Sequence, residues 1–310
     1  MATTTTINTT YAGEKLRGYI ATALLSANSI SSGAVSVKTN IKYKEVIKNL
    51  SLGAGLIAAG GCDFDATSSV TLGERYLEPE EFQVNMQLCK QDFRSDWESI
   101  SMGYSAFDNL PSDFETYFVA RIIASVATEN ERILWQGADA VAGEYAGFLE
   151  LFAADADVAK IVGTTIDASN VIDELGKVVD GILPQLYGAE DLTIRISQNI
   201  YRSYVRALGG FGAQGLGANG VNGQGNNQSL GNLIFDGVRL VVCNGLPDNT
   251  MIAAKSSNLY FATGLFNDYN MLKVKDMEDV DLSQNVRFAM RWTATVNYGI
   301  PSEILTYIPA

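Results

Sequence analysis

The clearest helical pattern in the chain is a stretch that stops at Gly137. Its apolar residues fall on one broad face at about 100° per residue. That face comprises Phe118, Val119, Ile122, Ile123, Val126, Ala127, Ile133 and Leu134. Ser112 and Glu115 have the spacing of a capping box, and glycine is a common helix stop. The pattern predicts a helix from Ser112 to Gln136, about 37 Å long at 1.5 Å per residue. A helix of this length crosses a compact chain of this size, so we name it the spine helix.

Three other segments alternate between apolar and polar residues with the period of a strand. They are residues 34–46, 82–89 and 286–298. We predict that the first two pair as a long projecting hairpin, with an ordinary sheet of long strands as the alternative. The third has one wholly apolar face, and the spine helix is its predicted cover. Shorter strands are predicted at 273–277, beside the third segment, and at 303–307.

The middle of the sequence mixes helical and strand patterns. Helices are predicted at 170–182 and 197–208, and strands at 192–196 and 238–243. A Gly-, Asn- and Gln-rich loop occupies residues 209–232. This order predicts an α/β lobe inserted into a lobe that both ends of the sequence build around the spine helix.

The beginning of the sequence is different in character. Residues 1–10 are polar and Thr-rich, which predicts a flexible arm, and residues 14–28 have helical spacing. No basic start followed by an apolar run is present, so we expect no secretory signal and synthesis in the cytoplasm. No apolar run reaches the roughly 18 residues that span a bilayer, and no membrane association is expected.

Composition removes several functional classes. The net charge of −13 argues against tight binding of nucleic acid by the whole protein. The absence of histidine removes imidazole catalysis and nearly all catalytic zinc sites. Cys62, Cys89 and Cys243 are far apart, which favours reduced thiols. These observations exclude many enzyme classes, and we expect no enzyme activity, no cofactor and no metal site.

Two motifs could carry chemistry but have plainer explanations. The Gly-rich loop contains Gly210-x-Gly212-x-x-Gly215, a formal match to a dinucleotide-binding fingerprint. That fingerprint needs a strand before it and a helix after it, and neither pattern is found here. The acidic group of Asp276, Glu278, Asp279 and Asp281 lacks the spacing of a calcium loop. A solvated turn explains it more simply.

Charged side chains of the predicted hairpin and spine helix are candidates for contacts between subunits. The candidates are Lys38, Lys42, Lys44, Glu74, Glu78, Glu80, Glu81, Arg121 and Arg132. The lysines can meet the glutamates within the hairpin or across a subunit boundary, and a merely solvated face is equally compatible. Exposed pairs contribute about 0–1 kcal/mol each, so they would orient contacts rather than drive them.

The order of these elements resembles that of the major capsid proteins of tailed bacteriophages, which have the Hong Kong 97-like fold. The stretch LEPEEFQVNMQLCKQDFRSDW from Leu77, the Asn109-Leu110-Pro111 entry to the spine helix, and the closing stretch NVRFAMRWTATVNYGIPSEILTY from Asn285 carry the likeness. The resemblance implies an α+β fold, and it covers nearly the whole chain without any catalytic signature.

The resemblance divides the chain as follows: an N-terminal arm and short helix at 1–33, an extended hairpin loop at 34–93, a peripheral domain at 94–156 and 268–310, and an axial domain at 157–267. It implies self-assembly as hexamers and pentamers into an icosahedral shell around double-stranded DNA. A scaffold, a portal and decoration proteins are the implied partners. An encapsulin-like nanocompartment shell is the first alternative. A nucleotide-binding enzyme that uses the Gly-rich loop is the second.

Overall fold

The computed structural model describes six stretches of the chain: 28–52, 57, 68–89, 112–207, 233–264 and 272–309. The helices are α1 (Asn28–Ser31), α2 (Ser112–Gln136), α3 (Phe148–Ala154), α4 (Val171–Gly181), α5 (Gln198–Ala207) and α6 (Glu278–Asp281). The strands are β1 (Ser36–Lys38), β2 (Glu45–Leu52), β3 (Val70–Leu77), β4 (Glu80–Cys89), β5 (Ala159–Gly163), β6 (Leu192–Ile196), β7 (Ile234–Phe235), β8 (Val238–Val242), β9 (Met251–Lys255), β10 (Leu259–Thr263), β11 (Leu272–Asp276), β12 (Asn285–Tyr298) and β13 (Leu305–Pro309).

The first sheet is organised around β12, the longest strand. It follows the order β1-β10-β12-β11, and β4 also pairs with β12. The antiparallel pairing with β4 runs from Asn285 opposite Cys89 to Ala294 opposite Glu80. Alternate residues of β12 are buried because one face packs into the core.

The spine helix α2 has the predicted bounds, Ser112–Gln136. Val119, Ile122 and Ile123 are buried in the same core cluster as Phe288 and Met290 of β12. The prediction that the helix covers the last long strand is therefore confirmed. Its outward residues Arg121, Ser125 and Thr128 are exposed, as a 3.6-residue period requires.

The second sheet has the order β5-β13-β9-β6-β8-β7. Its central strand β6 is buried along its whole length because a second core cluster, to which α4 and α5 contribute, covers it. The predicted helices and strands of the α/β lobe are confirmed to within two residues at their ends.

The predicted pairing of residues 34–46 with 82–89 is wrong. The hairpin is formed by β2 and β3, with Glu45 opposite Leu77 and Leu52 opposite Val70. The second segment pairs with β12 instead. Alternation specifies which face of a strand is apolar but does not specify its partner, so the sequence pattern could not make this choice.

The predicted continuous strand over 34–46 is also interrupted. Asn40 has φ 67, a left-handed conformation that ends the strand, and its backbone N–H donates to the carbonyl of Gly264 at 3.0 Å. Asparagine tolerates this conformation better than most residues. The short strand β1 before it pairs in parallel with β10.

Two strands lie in a different sheet from the rest of the domain to which the predicted limits assign them. β10 falls within 157–267 but pairs with β12 in the first sheet. β13 falls within 268–310 but pairs with β5 and β9 in the second sheet. The two lobes therefore exchange strands and share their boundary.

Several predicted features lie outside the described residues. They are residues 1–27 of the predicted arm and helix, Cys62, and the Gly-rich loop 209–232 with its fingerprint glycines. The side chains of the predicted capping box, Ser112 and Glu115, are also outside what the structure describes. Among the helices that the structure describes, none combines the length and the apolar character needed to cross a lipid bilayer.

Candidate inter-subunit surface

One face of the β2–β3 hairpin presents apolar side chains to solvent. The exposed side chains of this face are Val46, Leu50, Val70, Leu72 and Tyr76. Leu50 and Leu72 lie opposite each other and are 58% and 68% exposed. We call these five residues the apolar hairpin face. The exposed pair of Lys48 and Glu74 lies on the same face, between the Val46–Tyr76 and Leu50–Leu72 pairs. Exposed apolar side chains that cluster in this way are typical of a surface that another molecule covers.

The hairpin has no third strand among the described residues. A two-stranded ribbon is marginally stable in water, and its outer edges carry unpaired backbone groups. The apolar hairpin face and these edges therefore both favour contact with a further molecule.

The root of the hairpin is fixed to the body by a charged cluster. Arg75 of β3 forms an ion pair with Asp155, which follows α3, and its guanidinium lies 4.1 Å from the ring centroid of Tyr298. The Tyr298 hydroxyl donates to the same carboxylate at 2.7 Å. Burial opposes ionisation of Asp155, but hydrogen bonds from the backbone of Asp157, from Tyr298 and from Arg75 outweigh it and lower the pKa of Asp155.

Neutral contacts complete the attachment of the hairpin. The side-chain amide of Asn297 donates to the carbonyl of Tyr76 at 2.7 Å. Ile41 and Leu77 are buried with Ala262 in a small separate cluster. The attachment is therefore tight at the root, whereas the apolar hairpin face beyond it is exposed.

A groove lies between the spine helix and the start of β4. Its volume is about 390 Å³. Its apolar walls are formed by Phe82, Val84, Val126, Ile133, Tyr145 and Trp292. The ring of Phe82 packs edge-on against Tyr145 at 5.7 Å and lies 6.2 Å from Trp292. We call this feature the spine groove.

The rim of the spine groove is acidic. Glu80, Glu81, Glu129 and Glu144 all line it. Arg132 forms ion pairs with Glu129 and Glu144, and its hydrogen bond lowers the pKa of Glu144. No basic side chain in the described part of the chain pairs with Glu80 or Glu81. Burial, with the neighbouring charges of Asp139 and Glu78, raises the pKa of Glu80. Of the four glutamates that line the rim, Glu129 and Glu144 thus share one cation, whereas Glu80 and Glu81 have none among the described residues.

Several predicted contact residues already have partners within the subunit. Lys38 pairs with Glu45 at 2.5 Å, and Lys44 lies 3.6 Å from Glu78. The carboxylate of Glu74 accepts a hydrogen bond from Tyr76 at 3.1 Å.

The remaining predicted contact residues lie on exposed surface or in the groove. Lys42 and Arg121 are exposed, while Glu80 and Glu81 belong to the groove rim. The role of all nine candidates between subunits stays a prediction.

Sequence reasoning missed two buried charges that hold the segment around α1. Arg195 of β6 is fully buried and donates to the carbonyl of Ala34 at 2.9 Å and to that of Ala254 at 3.0 Å. Burial lowers the pKa of Arg195 to about 10. Glu131 of the spine helix accepts hydrogen bonds from the backbone and hydroxyl of Ser29. One charge from each lobe therefore anchors the segment 28–36, and a single basic residue within an apolar strand was the only sequence signal.

The described residues contain no group of three or more Cys, Asp or Glu side chains arranged to hold a metal ion. Burial raises the pKa of Cys243 to about 12, so this thiol is not a nucleophile at neutral pH. The features that stand out on the described surface are the apolar hairpin face and the spine groove.

No protein-family model matches the sequence, and no curated protein is significantly similar to it. Solved structures do match. The capsid of an empty GTA particle has 13% identity and a TM-score of 0.57, over 91% of this chain and 89% of that chain. A structure from Mycobacterium phage Adephagia has 12% identity and a TM-score of 0.57, over 92% of this chain and 90% of that one. A virus-like particle from Pyrococcus furiosus has 10% identity and a TM-score of 0.52, over 95% and 98%.

At these identities the likeness establishes the fold. The chain has the α+β Hong Kong 97-like fold over nearly its whole length. The fold expected from the sequence is therefore confirmed.

Proposed function

We propose that this protein is the structural subunit of an icosahedral shell, the major capsid protein of a tailed bacteriophage. The observation that carries the proposal is the apolar hairpin face, which a single subunit leaves exposed. The fold similarity to phage and particle capsids supports it. Such a subunit needs no catalytic residue, so we also propose that it is not an enzyme.

Contacts between the hairpin of one subunit and the body of the next are heterologous. Heterologous contacts related by rotation close into rings, and many repeated contacts stabilise a shell even when each is weak. We propose hexamers and pentamers as these rings, with assembly in the host cytoplasm. The net charge of −13 suits an inner wall that encloses DNA without binding it tightly.

The experiment compares the protein with a variant that carries Leu50→Ser and Leu72→Ser. Both side chains are exposed, so the subunit should keep its circular dichroism spectrum and its unfolding temperature. Electron microscopy should show shells or tubes for the unchanged protein and at least tenfold fewer for the variant. Val162→Ser is the matched control, since Val162 is an exposed apolar residue of the other lobe at 73%.

A monodisperse monomer of the unchanged protein, with or without a coexpressed scaffold, would contradict the proposal. If the hairpin variant gave a normal particle yield, the shell function would stand, but the hairpin would not be one of its assembly contacts.

A nanocompartment shell around a cargo protein is the second candidate. The similarity to the Pyrococcus furiosus virus-like particle supports this second candidate. The contents of purified particles separate the two. Nuclease-resistant double-stranded DNA is expected for a phage head, together with copurified scaffold, portal or decoration proteins. A single enclosed enzyme is expected for a nanocompartment.

A further inference from the structure

The spine groove has the size and the walls of a ligand pocket. Its volume of about 390 Å³ lies in the range of such pockets. Alternation along β4 places Glu80, Phe82 and Val84 on one face, and Trp292 of β12 lies directly opposite Phe82. The other wall is one stripe of the spine helix, formed by Val126, Glu129, Asn130 and Ile133. An apolar chain therefore fits between the two walls, with its polar groups at the rim.

An incomplete hydrogen-bond pattern in the groove indicates a ligand independently of the charge of the rim. Asn130 lines the groove and is 3% exposed. Its side-chain oxygen accepts from the Tyr145 hydroxyl at 3.4 Å, while its nitrogen has no partner among the described residues. Turning the amide over exchanges the two atoms, so that Tyr145 accepts from the nitrogen and the oxygen is available to a donor. Because buried polar groups rarely lack a partner, a ligand that donates hydrogen bonds suits this position.

The charges around the groove indicate how many positive charges the ligand carries. The acidic side chains of the rim are Glu80, Glu81, Glu129 and Glu144. Arg132 is the only cation that pairs with any of them among the described residues. Four carboxylates and one guanidinium leave three negative charges without a cation. Burial and neighbouring carboxylates raise the pKa of Glu80, and a bound cation would favour its charged form.

A linear polyamine meets these requirements together. Its ammonium groups are separated by methylene chains, so charge and apolar surface alternate along one molecule. The methylene chains can pack on the aliphatic and aromatic walls, while the ammonium groups can bind the carboxylates and the ring faces. A lysine side chain of another protein would supply one charge where three are missing. A second copy is an unfavourable source of cations, because the chain has a net charge of −13.

We propose that the spine groove binds a linear polyamine, with its methylene chains along Phe82 and Trp292 and its ammonium groups at Glu80 and Glu81. An amine within the groove also donates to the turned amide of Asn130. Such a ligand joins β4 to the spine helix and stabilises the folded subunit. This binding does not depend on the proposed shell function, because all the residues that form the groove belong to one subunit.

Calorimetric titration of the full-length protein with the triamine spermidine tests the site, at an ionic strength of about 0.15 M. We expect saturation at one spermidine per chain. Glu80→Gln with Glu81→Gln should weaken the binding about tenfold, because both ammonium contacts are lost. The matched control is Asp173→Asn with Asp180→Asn, which removes two exposed carboxylates of α4 in the other lobe. This control should change the affinity less than twofold.

A second measurement locates the ligand. Gln83 lines the groove and is exposed, so Gln83→Cys places a thiol beside the bound amine. Saturating spermidine should slow the alkylation of this thiol by neutral iodoacetamide at least threefold, as measured by peptide mass mapping. Val162→Cys, at a residue of the other lobe that is 73% exposed, should react at an unchanged rate. Equal protection of both thiols would overturn the assignment to the groove.

The remaining results are also decisive. Binding that does not saturate, or that both double variants weaken equally, would show general attraction to an acidic protein and overturn the proposal. If butylamine bound as tightly as spermidine, one cation would suffice, and the groove would suit a basic side chain of another protein instead. Release of spermidine on assembly would assign the groove to a second copy. Particles that form without any spermidine binding would overturn the groove site alone, whereas saturable binding without particles would contradict only the shell.

Discussion

Arg75 and Asp155 form the ion pair that joins the hairpin to the body of the subunit. The two residues lie 80 positions apart in the sequence, and their side chains are only 30% and 18% exposed. Because Tyr298 contacts both partners, the pair is fixed in geometry rather than solvated as a surface pair would be. This contact therefore helps to hold the root of the hairpin against the body of the subunit.

Replacing Arg75 by methionine should keep the fold and loosen the hairpin. We expect the free energy of unfolding to fall by about 1–3 kcal/mol, since Asp155 is left partly buried without its cation. Denaturant titration measures the loss, and particle yield should fall with it. Arg202→Met is the control, because Arg202 is an exposed arginine of α5. Equal effects of the two substitutions would show that the ion pair contributes no more than general packing.

The same pair predicts an acid dependence of stability. The pKa of Asp155 is lowered in the folded state, so its contribution is complete above the unfolded value of about 3.9. It is lost as the pH falls through the lower folded value, because the proton then binds more strongly to the unfolded chain. The free energy of unfolding of the protein and of Asp155→Asn can be measured between pH 2 and pH 7. The difference between the two free energies should be constant above about pH 5. The difference should shrink below about pH 4, and a difference that grew in acid would contradict the assignment.

Among the basic residues of the described chain, Arg195 should be the one whose substitution lowers the free energy of unfolding most. Arg195→Met leaves the carbonyl oxygens of Ala34 and Ala254 without their buried donor. We expect a loss of at least about 2 kcal/mol in unfolding free energy, by the cost of unsatisfied buried groups. Limited proteolysis should also cut the chain faster near residues 28–36. Arg206→Met serves as the control, since Arg206 is exposed at the end of α5.

Replacing each of two glycines by alanine should change the stability of the protein in opposite directions. A Cβ on Gly163 would lie 1.9 Å from the ring of Tyr307, whose hydroxyl donates to the buried carboxylate of Glu174 at 2.9 Å. Gly163→Ala should therefore destabilise the protein by about 1–3 kcal/mol or more. A Cβ on Gly176, within α4, meets no atom within 4 Å. Gly176→Ala should stabilise by about 0.5–1 kcal/mol because alanine is the better helix former. Thermal unfolding of both variants tests the pair, and a common sign would contradict this account.

The sequence predicts local structure best where one wide apolar face continues over many residues. The spine helix and β12 were found at their predicted positions because each carries a single apolar face over many residues. The break at Asn40 was not predicted, since alternation continues through it and only its left-handed backbone ends the strand. The spine groove was also not predicted. It combines β4, the spine helix, the turn at Tyr145 and Trp292, which are far apart in the sequence.

The sequence by itself determined which segments are helical or extended, which faces are apolar, and the fold that their order resembles. The tertiary structure alone decided that β4 pairs with β12, that β10 and β13 lie in opposite sheets from those expected, and that Arg195 and Glu131 hold the segment around α1. Periodicity is a property of neighbouring residues, and the chain can satisfy it in many pairings. The choice among pairings depends on burying those faces together and on giving every buried charge a partner, and both conditions depend on the whole chain at once.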